Sequence, residues 1–251
     1  MQAPARLELI ALPGLPMVRP GDDLAALLAQ ALAGAGLELR AGDVLVLAQK
    51  IVSKAEGRLV RLAEVTPSAD AMALAEETGK DPALVELILS ESRRVVRRRP
   101  GVLIVEHRLG FIMANAGIDQ SNVGEGMALL LPADPDTSAE RLRAALGAPT
   151  GVGVVINDSF GRPWRRGTAG VAIGAAGLPA LVDRRGEADL FGRPLQVTMI
   201  ALADEIAATA SLLMGPAAEG RPAVLVRGLS WSAPASPAAT LIRPEEEDLF
   251  R

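Results

Sequence analysis

The chain has 251 residues, of which 49% are hydrophobic and 22% are charged, with a formal net charge of −4. This is the composition of a globular protein, and it excludes a generally basic nucleic-acid binder. Cysteine is absent and His107 is the single histidine. Disulfides, thiolate metal sites, cysteine nucleophiles and a multi-histidine zinc centre are therefore excluded.

No segment has the pattern of a membrane span. The longest uncharged run, residues 167–182, has 16 residues and is interrupted by glycines and a proline, whereas a spanning helix needs about 20 predominantly apolar residues. The N-terminus lacks the basic and then apolar pattern of a signal peptide. We expect a soluble cytoplasmic protein that binds neither nucleic acid nor membrane, and that holds any metal ion through oxygen.

Strand-like and helix-like patterns alternate irregularly along the chain. Strands are predicted at 7–12, from 43 to the polar change at Gln49, twice within 102–117, at 151–158 and at 222–228. Helices are predicted at 22–36 (capped by Asp22 or Asp23), 68–78, 82–98, 138–146 and 198–214. Because this is not a regular βαβ rhythm, we predict a mixed α+β fold with mixed or antiparallel sheets and packed helices. Residues 1–228 are predicted to form one domain, and residues 229–251 an extended or poorly ordered tail.

The first candidate site is ANAGIDQSNVGEG, residues 114–126. Small residues surround Asp119 and Asn122 and allow a ligand to approach the backbone closely. A carboxylate and an amide here can serve a hard cation or a sugar-phosphate. The structural alternative is a tight turn in which these side chains bond their own backbone.

The second candidate site is INDSFGRPWRRGTAG, residues 156–170. Asp158 and Ser159 directly follow an apolar strand, so Asp158 is expected to project from the end of that strand. A carboxylate and a hydroxyl are common ligands of Mg²⁺ or Mn²⁺, and the arginines that follow can bind anions. The structural alternative is an Asp–Ser turn followed by a solvated basic loop.

Four further features indicate a functional site less strongly. PGLP, residues 13–16, reads as a generic turn, and MGPAAEGRP, residues 214–222, as a nucleotide loop or a helix stop. RRVVRRR, residues 93–99, is predicted to be a solvated face near a helix end, with an anion site as the alternative. Lys50 and Lys54 lie four apart in a chain with three lysines, and lysine is a compact donor for a phosphate. The sequence has no GxxxxGK[ST] loop, GxGxxG fingerprint or kinase signature set, which excludes the P-loop NTPases.

Six segments carry a resemblance to a known family. They are LPGLP (12–16), DVLVLAQKIVSKAEGR (43–58), ESRRVVRR (91–98), VEHRLGFIMANAGIDQSNV (105–123), INDSFGRPWRRGTAGVAIGAAG (156–177) and ADEIAATASLLMG (203–215). Together they resemble the coenzyme F420:L-glutamate ligases, also called F420-0:gamma-glutamyl ligases. The likeness extends over nearly the whole chain, and AQKIVSKAEG and ANAGIDQSNV are long enough to be specific.

The resemblance implies a homodimeric enzyme with an unusual α+β fold, expected to have two lobes. Such enzymes use GTP and a divalent metal, Mg²⁺ or Mn²⁺ (two ions are expected), with K⁺ as a further ion. They attach L-glutamate to the lactyl-phosphate side of a deazaflavin precursor. The first amide uses the α-amino group of glutamate, and a second glutamate is joined through a γ-linkage. The expected route passes through an acyl phosphate.

The resemblance also implies roles for individual residues. Asp119 and Asp158 match ligands of one divalent ion and Ser159 a ligand of a second, and we expect Lys54 to act with the two aspartates in catalysis. The implied GTP contacts are Leu12, Pro13, Gly14, Leu15, Gln49, Lys50, Lys54, Asn122, Met214, Gly215, Pro216, Ala217, Ala218, Glu219, Gly220 and Arg221.

Two positions depart from the family pattern. Pro216 stands where many members have a glutamine that binds the second ion, and a proline side chain has no ligand atom. Lys50 stands where threonine is common. We expect the arginines at 162, 165 and 166 to bind the phosphodiester of the precursor or the carboxylates of glutamate.

Two other function classes are compatible with the same residues. A metal-dependent GTPase or phosphoesterase would release phosphate without needing an amine. A non-catalytic nucleotide-binding module would bind GTP without turnover, although two acids with adjacent polar ligands exceed what simple binding needs.

Overall fold

A five-stranded sheet forms the centre of the protein in the computed structural model, which describes residues 6–249. The strands in chain order are β1 (Glu8–Ala11), β2 (Asp43–Ala48), β3 (Leu59–Arg61), β4 (Ser92–Arg99), β5 (Val102–His107), β6 (Ile112–Ala114), β7 (Met127–Leu129), β8 (Gly153–Arg162), β9 (Arg165–Ala176), β10 (Val182–Asp183), β11 (Met199–Ile200) and β12 (Ala223–Arg227). The α-helices are α1 (Leu24–Gly34), α2 (Gln49–Ala55), α3 (Ala69–Thr78), α4 (Pro82–Ser90), α5 (Pro135–Ala145) and α6 (Leu202–Met214).

The central sheet has the strand order β1-β12-β2-β8-β9. Only the β2–β8 pair is parallel, and the other three pairs are antiparallel. Both faces of the sheet are covered: Leu45 and Leu47 pack in one apolar cluster with α1, while Val44 and Val46 pack in another with α6. This alternation is that of a strand buried on both sides. The predicted mixed α+β fold is confirmed.

Residues 59–130 form a second lobe with its own apolar core. This lobe contains a two-stranded sheet (β3–β7), a three-stranded sheet (β4–β5–β6) and helices α3 and α4. Its core includes Val85, Ile88 and Leu103, all fully buried. The two ends of the lobe meet, because Leu130 N donates to Arg58 O at 3.1 Å and Arg58 Nε donates to Leu131 O at 2.9 Å.

Side-chain caps fix the starts of the main helices. Asp23 accepts a hydrogen bond from Ala26 N at 3.0 Å and begins α1, as predicted. Ser68, Asp81 and Asp134 cap α3, α4 and α5 in the same way. Each cap satisfies a backbone N–H that the first helical turn leaves without a partner.

The predicted helix at 82–98 is wrong in its second half. Helix α4 ends at Ser90, and the arginine-rich segment is strand β4, paired antiparallel with β5. Some of its arginines are paired with acids on neighbouring elements: Arg94 Nε lies 2.7 Å from Glu106 Oε2 and Arg98 Nε 2.9 Å from Glu77 Oε1. Pairing with β5 overrides the good helix propensity of arginine.

The strand predicted at 151–158 continues further than predicted, and the basic loop that was the structural alternative for the residues after it is instead a long hairpin. Strand β8 continues through Asp158 to Arg162 and pairs with β9 along its length. Pairing with β2 stops at Asn157, so residues 158–171 form a two-stranded ribbon that extends beyond the sheet. Asp158 therefore lies within a strand at the base of this ribbon, not at the strand's end.

The chain after β12 is mostly irregular and packs against the sheet lobe. Ser236 Oγ accepts from Ala180 N at 2.9 Å, and Asp136 Oδ1 accepts from Ala238 N at 2.7 Å. Ala238 is fully buried, so this part of the predicted tail is anchored. Residues 1–5 of the predicted domain and 250–251 of the tail lie outside the described residues. Within residues 6–249, no helix is long and apolar enough to cross a membrane.

Candidate functional site

The strand registers bring four segments of the chain to one edge of the central sheet. Ala11, the last residue of β1, lies opposite Val224. Ala223, the first residue of β12, lies opposite Leu47, and Ala48 lies beside Asn157. This edge therefore collects the turn after β1, the start of α2, the loop before β12 and Asp158. In open sheets with parallel strands, ligands commonly bind outside such strand ends.

Two lysines of α2 connect this edge to the second lobe. Lys50 and Lys54 are four residues apart and so lie on one face of the helix. Lys50 Nζ lies 2.7 Å from Asp119 Oδ2 and donates to Ser121 Oγ at 2.6 Å. Lys54 Nζ donates to Asn122 O at 2.8 Å. The two candidate segments that are far apart in the sequence are thus in direct contact.

The loop that carries Asp119 is fixed by its own backbone. Asp119 exchanges two backbone hydrogen bonds with Leu129, at 3.0 and 2.8 Å, and its Oδ1 accepts from Ser121 N at 2.6 Å. Asn122 has a φ of +55°, which asparagine tolerates better than most residues. The structural alternative of a turn closed by both side chains therefore holds for Asp119 only, because the Asn122 side chain donates to Ala217 O instead. The other carboxylate oxygen of Asp119 lies at Lys50 Nζ.

The two aspartates have opposite protonation tendencies. Burial raises the pKa of Asp158 to about 7; the nearby Asp119 carboxylate acts in the same direction, while the Ser159 N–H and the charge of Lys50 oppose it. Burial also acts to raise the pKa of Asp119, but hydrogen bonds from Lys50 and Ser121 outweigh it and the pKa is lowered. The charge of Asp119 is therefore balanced within the protein, whereas that of Asp158 is not.

The oxygen atoms of the site suit a hard divalent cation but provide only some of the ligands that it needs. Carboxylate oxygens suit Mg²⁺ and Mn²⁺, and a cation between Asp119 and Asp158 would relieve their repulsion. Within the described part of the chain, no group of three or more histidine, aspartate and glutamate side chains is arranged to hold a metal. Further ligands must then be other protein oxygens, water or a phosphate. Alternation along β8 directs Ser159 to the face opposite Asp158, which is compatible with its predicted place at a separate ion.

The loop after α6 approaches the same site. Asn122 Nδ2 donates to Ala217 O at 3.3 Å, and Ala217 N donates to Glu219 Oε2 at 2.8 Å. Gly215 has a φ of +71° and faces the Glu219 side chain so closely that a Cβ would clash with it. The loop residues that follow, Pro216, Ala217, Ala218, Glu219, Gly220 and Arg221, are exposed. Their predicted contact with GTP stays a prediction.

Some predicted GTP contacts have side chains that face inward. Leu12 is 2% exposed, packs in the core and donates its N–H to Ala223 O, while Pro13 and Gly14 are exposed beside it. Gln49 is 2% exposed, and its Oε1 accepts from Ser53 Oγ at 2.9 Å. If Leu12 and Gln49 contact a nucleotide from these positions, they do so through the backbone.

Asn157 is a further residue of the site, and no motif in the sequence singles it out. Its Nδ2 donates to Ser211 Oγ at 3.2 Å and to Met214 Sδ at 3.6 Å, so it connects the end of α6 to the strand that carries Asp158. Its Oδ1 is buried without a hydrogen-bond partner among the described residues. An amide inside an otherwise apolar buried strand is the signal that could have identified it.

The geometry thus defines an α+β protein whose acids and lysines converge at one edge of a mixed sheet. The chain belongs to the F420-0:gamma-glutamyl ligase family, since the model of that family matches residues 14–228.

Full-length relatives support this assignment. The chain is 50% identical over 249 residues to the coenzyme F420:L-glutamate ligase of Methanothermobacter thermautotrophicus, covering 98% of this chain and 99% of the relative. It is 50% identical over 241 residues to the protein of the same name from Methanopyrus kandleri, covering 93% of each. With the Archaeoglobus fulgidus protein of that name it shares 46% of 248 residues, covering 98% and 97%.

Proposed function

We propose that this protein is a GTP-dependent ligase that joins L-glutamate to the carboxylate of a coenzyme F420 precursor. The names of the family and of its full-length relatives support the ligase and its two organic substrates. The observation in the structure that carries the proposal is the convergence of Lys50, Lys54, Asp119 and Asp158 at one sheet edge.

Amide formation from a carboxylate needs activation, because the carboxylate is a poor electrophile at neutral pH. In the proposed reaction, a carboxylate oxygen of the precursor attacks the γ-phosphorus of GTP, and the bond to the β-phosphate oxygen breaks to release GDP. The amino group of glutamate then attacks the acyl carbon. Inorganic phosphate leaves, and the amine loses a proton. The protein mainly positions groups and balances charge for such a transfer.

Each group at the sheet edge has a part in this proposal. Lys54, and Lys50 once it leaves Asp119, would bind phosphate oxygens. Asp119 and Asp158 would hold a divalent cation, which supplies positive charge against the phosphates when it is bound. Removing one such electrostatic group typically lowers the rate by about 10²–10³. Adding further glutamates, the second metal ion at Ser159, a K⁺ ion and a homodimer are further parts of the proposal that the resemblance implies.

The test is product formation by the purified protein with precursor, L-glutamate, GTP and either Mg²⁺ or Mn²⁺. We expect a product heavier by one or more glutamate units in mass spectrometry. An unchanged precursor mass with both metals contradicts the proposal. Phosphate release that is independent of glutamate would indicate a GTPase or phosphoesterase, and GTP binding without any turnover would indicate a binding module.

A further inference from the structure

Lys50 already occupies the carboxylate of Asp119 in the protein without ligands. Its Nζ lies 2.7 Å from Asp119 Oδ2 and donates to Ser121 Oγ at 2.6 Å. The other carboxylate oxygen, Asp119 Oδ1, accepts from Ser121 N at 2.6 Å. Both oxygens of this acid therefore have a partner before any ligand binds, and one of the two partners is a cation.

The formal charges around this pair cancel. Lys50 and Lys54 contribute two positive charges, Asp119 and Asp158 contribute two negative ones, and these groups lie close enough to act on one another electrostatically. A divalent cation that joined Asp119 beside the ammonium group of Lys50 would add two positive charges to this cluster at short range. Repulsion from Lys50 therefore opposes the binding of a cation that arrives alone.

The ammonium group of Lys50 can move more easily than the carboxylate that it contacts. The Lys50 side chain is 27% exposed and carries its charge on a flexible four-carbon stem. Asp119 is held in place, because its backbone exchanges two hydrogen bonds with Leu129, at 3.0 and 2.8 Å. A ligand can thus release Asp119 by drawing Lys50 aside, without moving the loop that carries the acid.

Lys54 lies on the same face of α2 but has a different kind of partner. Its Nζ donates to Asn122 O at 2.8 Å, which is a backbone carbonyl and not an acid. Because an ammonium group has three donors, Lys54 can bind a phosphate and keep this bond. Of the two lysines, only Lys50 contacts a carboxylate of the site, and Lys54 provides a matched comparison for it.

We propose that Lys50 is an internal counter-ion that a divalent cation has to displace from Asp119. This inference rests on the proposed function, in which Asp119 holds the cation and phosphate groups bind beside it. A phosphate offers the displaced ammonium group a new anionic partner, so the cation and the phosphate bind more strongly together than either does alone. The cation therefore binds strongly only when the nucleotide is also present.

The first experiment titrates the purified full chain with Mn²⁺ alone and measures free Mn²⁺ by electron paramagnetic resonance. The test variants are Lys50→Gln, which keeps a hydrogen-bond donor, and Lys50→Met, which does not. Because both remove the charge, we expect the Kd for Mn²⁺ to fall about tenfold or more in each. Lys50→Arg keeps the charge and should stay within about twofold of the wild type. Lys54→Met removes the same charge one helical turn away but frees no carboxylate, so it should lower the Kd by less than about threefold.

The second experiment measures the Kd for GTP with and without Mn²⁺. The ratio of the two values is the coupling between nucleotide and cation, and the same ratio applies to the Kd for Mn²⁺ with and without GTP. Since Lys50→Gln binds Mn²⁺ well without GTP, its ratio should be smaller than that of the wild type by about threefold or more.

Other results overturn the inference. An unchanged or higher Kd for Mn²⁺ in both neutral variants of Lys50 would make its ion pair with Asp119 a structural contact between the lobes, and so would the absence of Mn²⁺ binding by every chain. Product formation by the wild type is measured separately. If product forms and the Mn²⁺ affinities do not differ, the proposed function stands and the inference fails. If no product forms, the proposed function fails, and the Mn²⁺ titration still decides whether Lys50 competes with a cation for Asp119.

Discussion

Lys50 is the residue that determines the charge balance of the candidate site. It binds both the carboxylate of Asp119 and the hydroxyl of Ser121, so one of the two acids already has a cationic partner. Asp158 has no such partner within the described residues beyond a backbone N–H. The two acids are therefore unequal, and substitutions at them should have unequal effects.

The first prediction concerns Asp158→Asn. The amide keeps the shape of the side chain but removes a charge that a cation would need, so we expect kcat to fall by about 10²–10³ or more. Because the change also removes a half-buried carboxylate whose charge is opposed by burial and by the nearby Asp119, the melting temperature should not fall. Turnover and thermal unfolding of the same preparation check both parts. Retained activity would remove Asp158 from the site, and a large loss of stability would make the activity result a folding effect.

The second prediction concerns Lys54→Met. Lys54 is buried, and burial together with the charge of Lys50 lowers its pKa, although Asp119 opposes the shift. The charged form of Lys54 is thus disfavoured by its surroundings, and a bound phosphate would stabilise it. Methionine should raise the KM for GTP at least tenfold, the usual effect of losing a charged hydrogen bond. Lys80→Met is the matched control, since Lys80 lies beyond α3 in the second lobe; an equal effect of both changes would contradict the role of Lys54.

Among the elements, α6 and the β8–β9 hairpin have an unusually close contact. A Cβ on Gly170 would clash with Ser211 Oγ and would lie 2.6 Å from Ala207 O and 2.7 Å from Asn157 Oδ1. Glycine at this position lets α6 lie directly on β9. The helix in turn positions the loop that begins at Met214.

The third prediction is that Gly170→Ala destabilises the protein by about 1–3 kcal/mol, the usual effect of overpacking. The free energy of unfolding in urea measures it. Gly161→Ala, on the same hairpin, is the control because a Cβ there would meet nothing within 4 Å. Equal stabilities of the two variants would show that α6 moves freely and that the contact does not position it.

The elements that could be predicted are those whose apolar pattern alone determines them. Strand β2 and helices α1, α3 and α6 follow from their apolar pattern, and the capping residues Asp23 and Ser68 also mark the starts of α1 and α3. Strand β9 could not be predicted, because its glycines, alanines and threonine have no clear alternation and its long partner β8 determines its structure. Strand β4 was predicted as part of a helix because arginine favours helices when no partner strand is considered. At the site, the individual acids and lysines were identifiable, but the contact of Lys50 with Asp119 depends on how the second lobe returns to the sheet.

At the scale of the whole molecule, Glu91 joins the second lobe to the sheet lobe. It accepts from Arg58 and Arg108, each at 2.9 Å, and Arg58 also binds Leu131 O. His107 is fully buried; its Nδ1 accepts from a backbone N–H, and its Nε2 lies 3.5 Å from Glu91 Oε2. Burial acts to raise the pKa of Glu91, but hydrogen bonds from His107, Arg108 and Arg58 outweigh it and lower the pKa to about 2.

The fourth prediction follows from this lowered pKa. The pKa of Glu91 is about 2 in the folded state against 4.5 without the fold, so its carboxylate stabilises the protein fully above that higher value. The contribution is lost as the pH falls through this window. Glu91→Gln should lower the free energy of unfolding by about 3 kcal/mol at pH 7, with a smaller difference at pH 3. Urea unfolding at both pH values measures this effect. The control is Glu64→Gln, which removes an exposed ion pair with Arg61 and should change the free energy of unfolding little at either pH. If Glu91→Gln lowers the free energy of unfolding equally at pH 7 and pH 3, the stabilisation does not come from the charge of Glu91.

The neck at which residues 59–130 leave and rejoin the sheet lobe has a consequence for local opening. Because the chain enters and exits at the paired residues Arg58 and Leu130, opening of the second lobe would break its contacts with the sheet lobe, including the packing of Met113, without unthreading the sheet. Asp119 would move away with it, while Asp158 would stay. Amide hydrogen exchange in the second lobe would then be limited by the same opening as the dissociation of a ligand held between the two aspartates. The two rates should therefore agree.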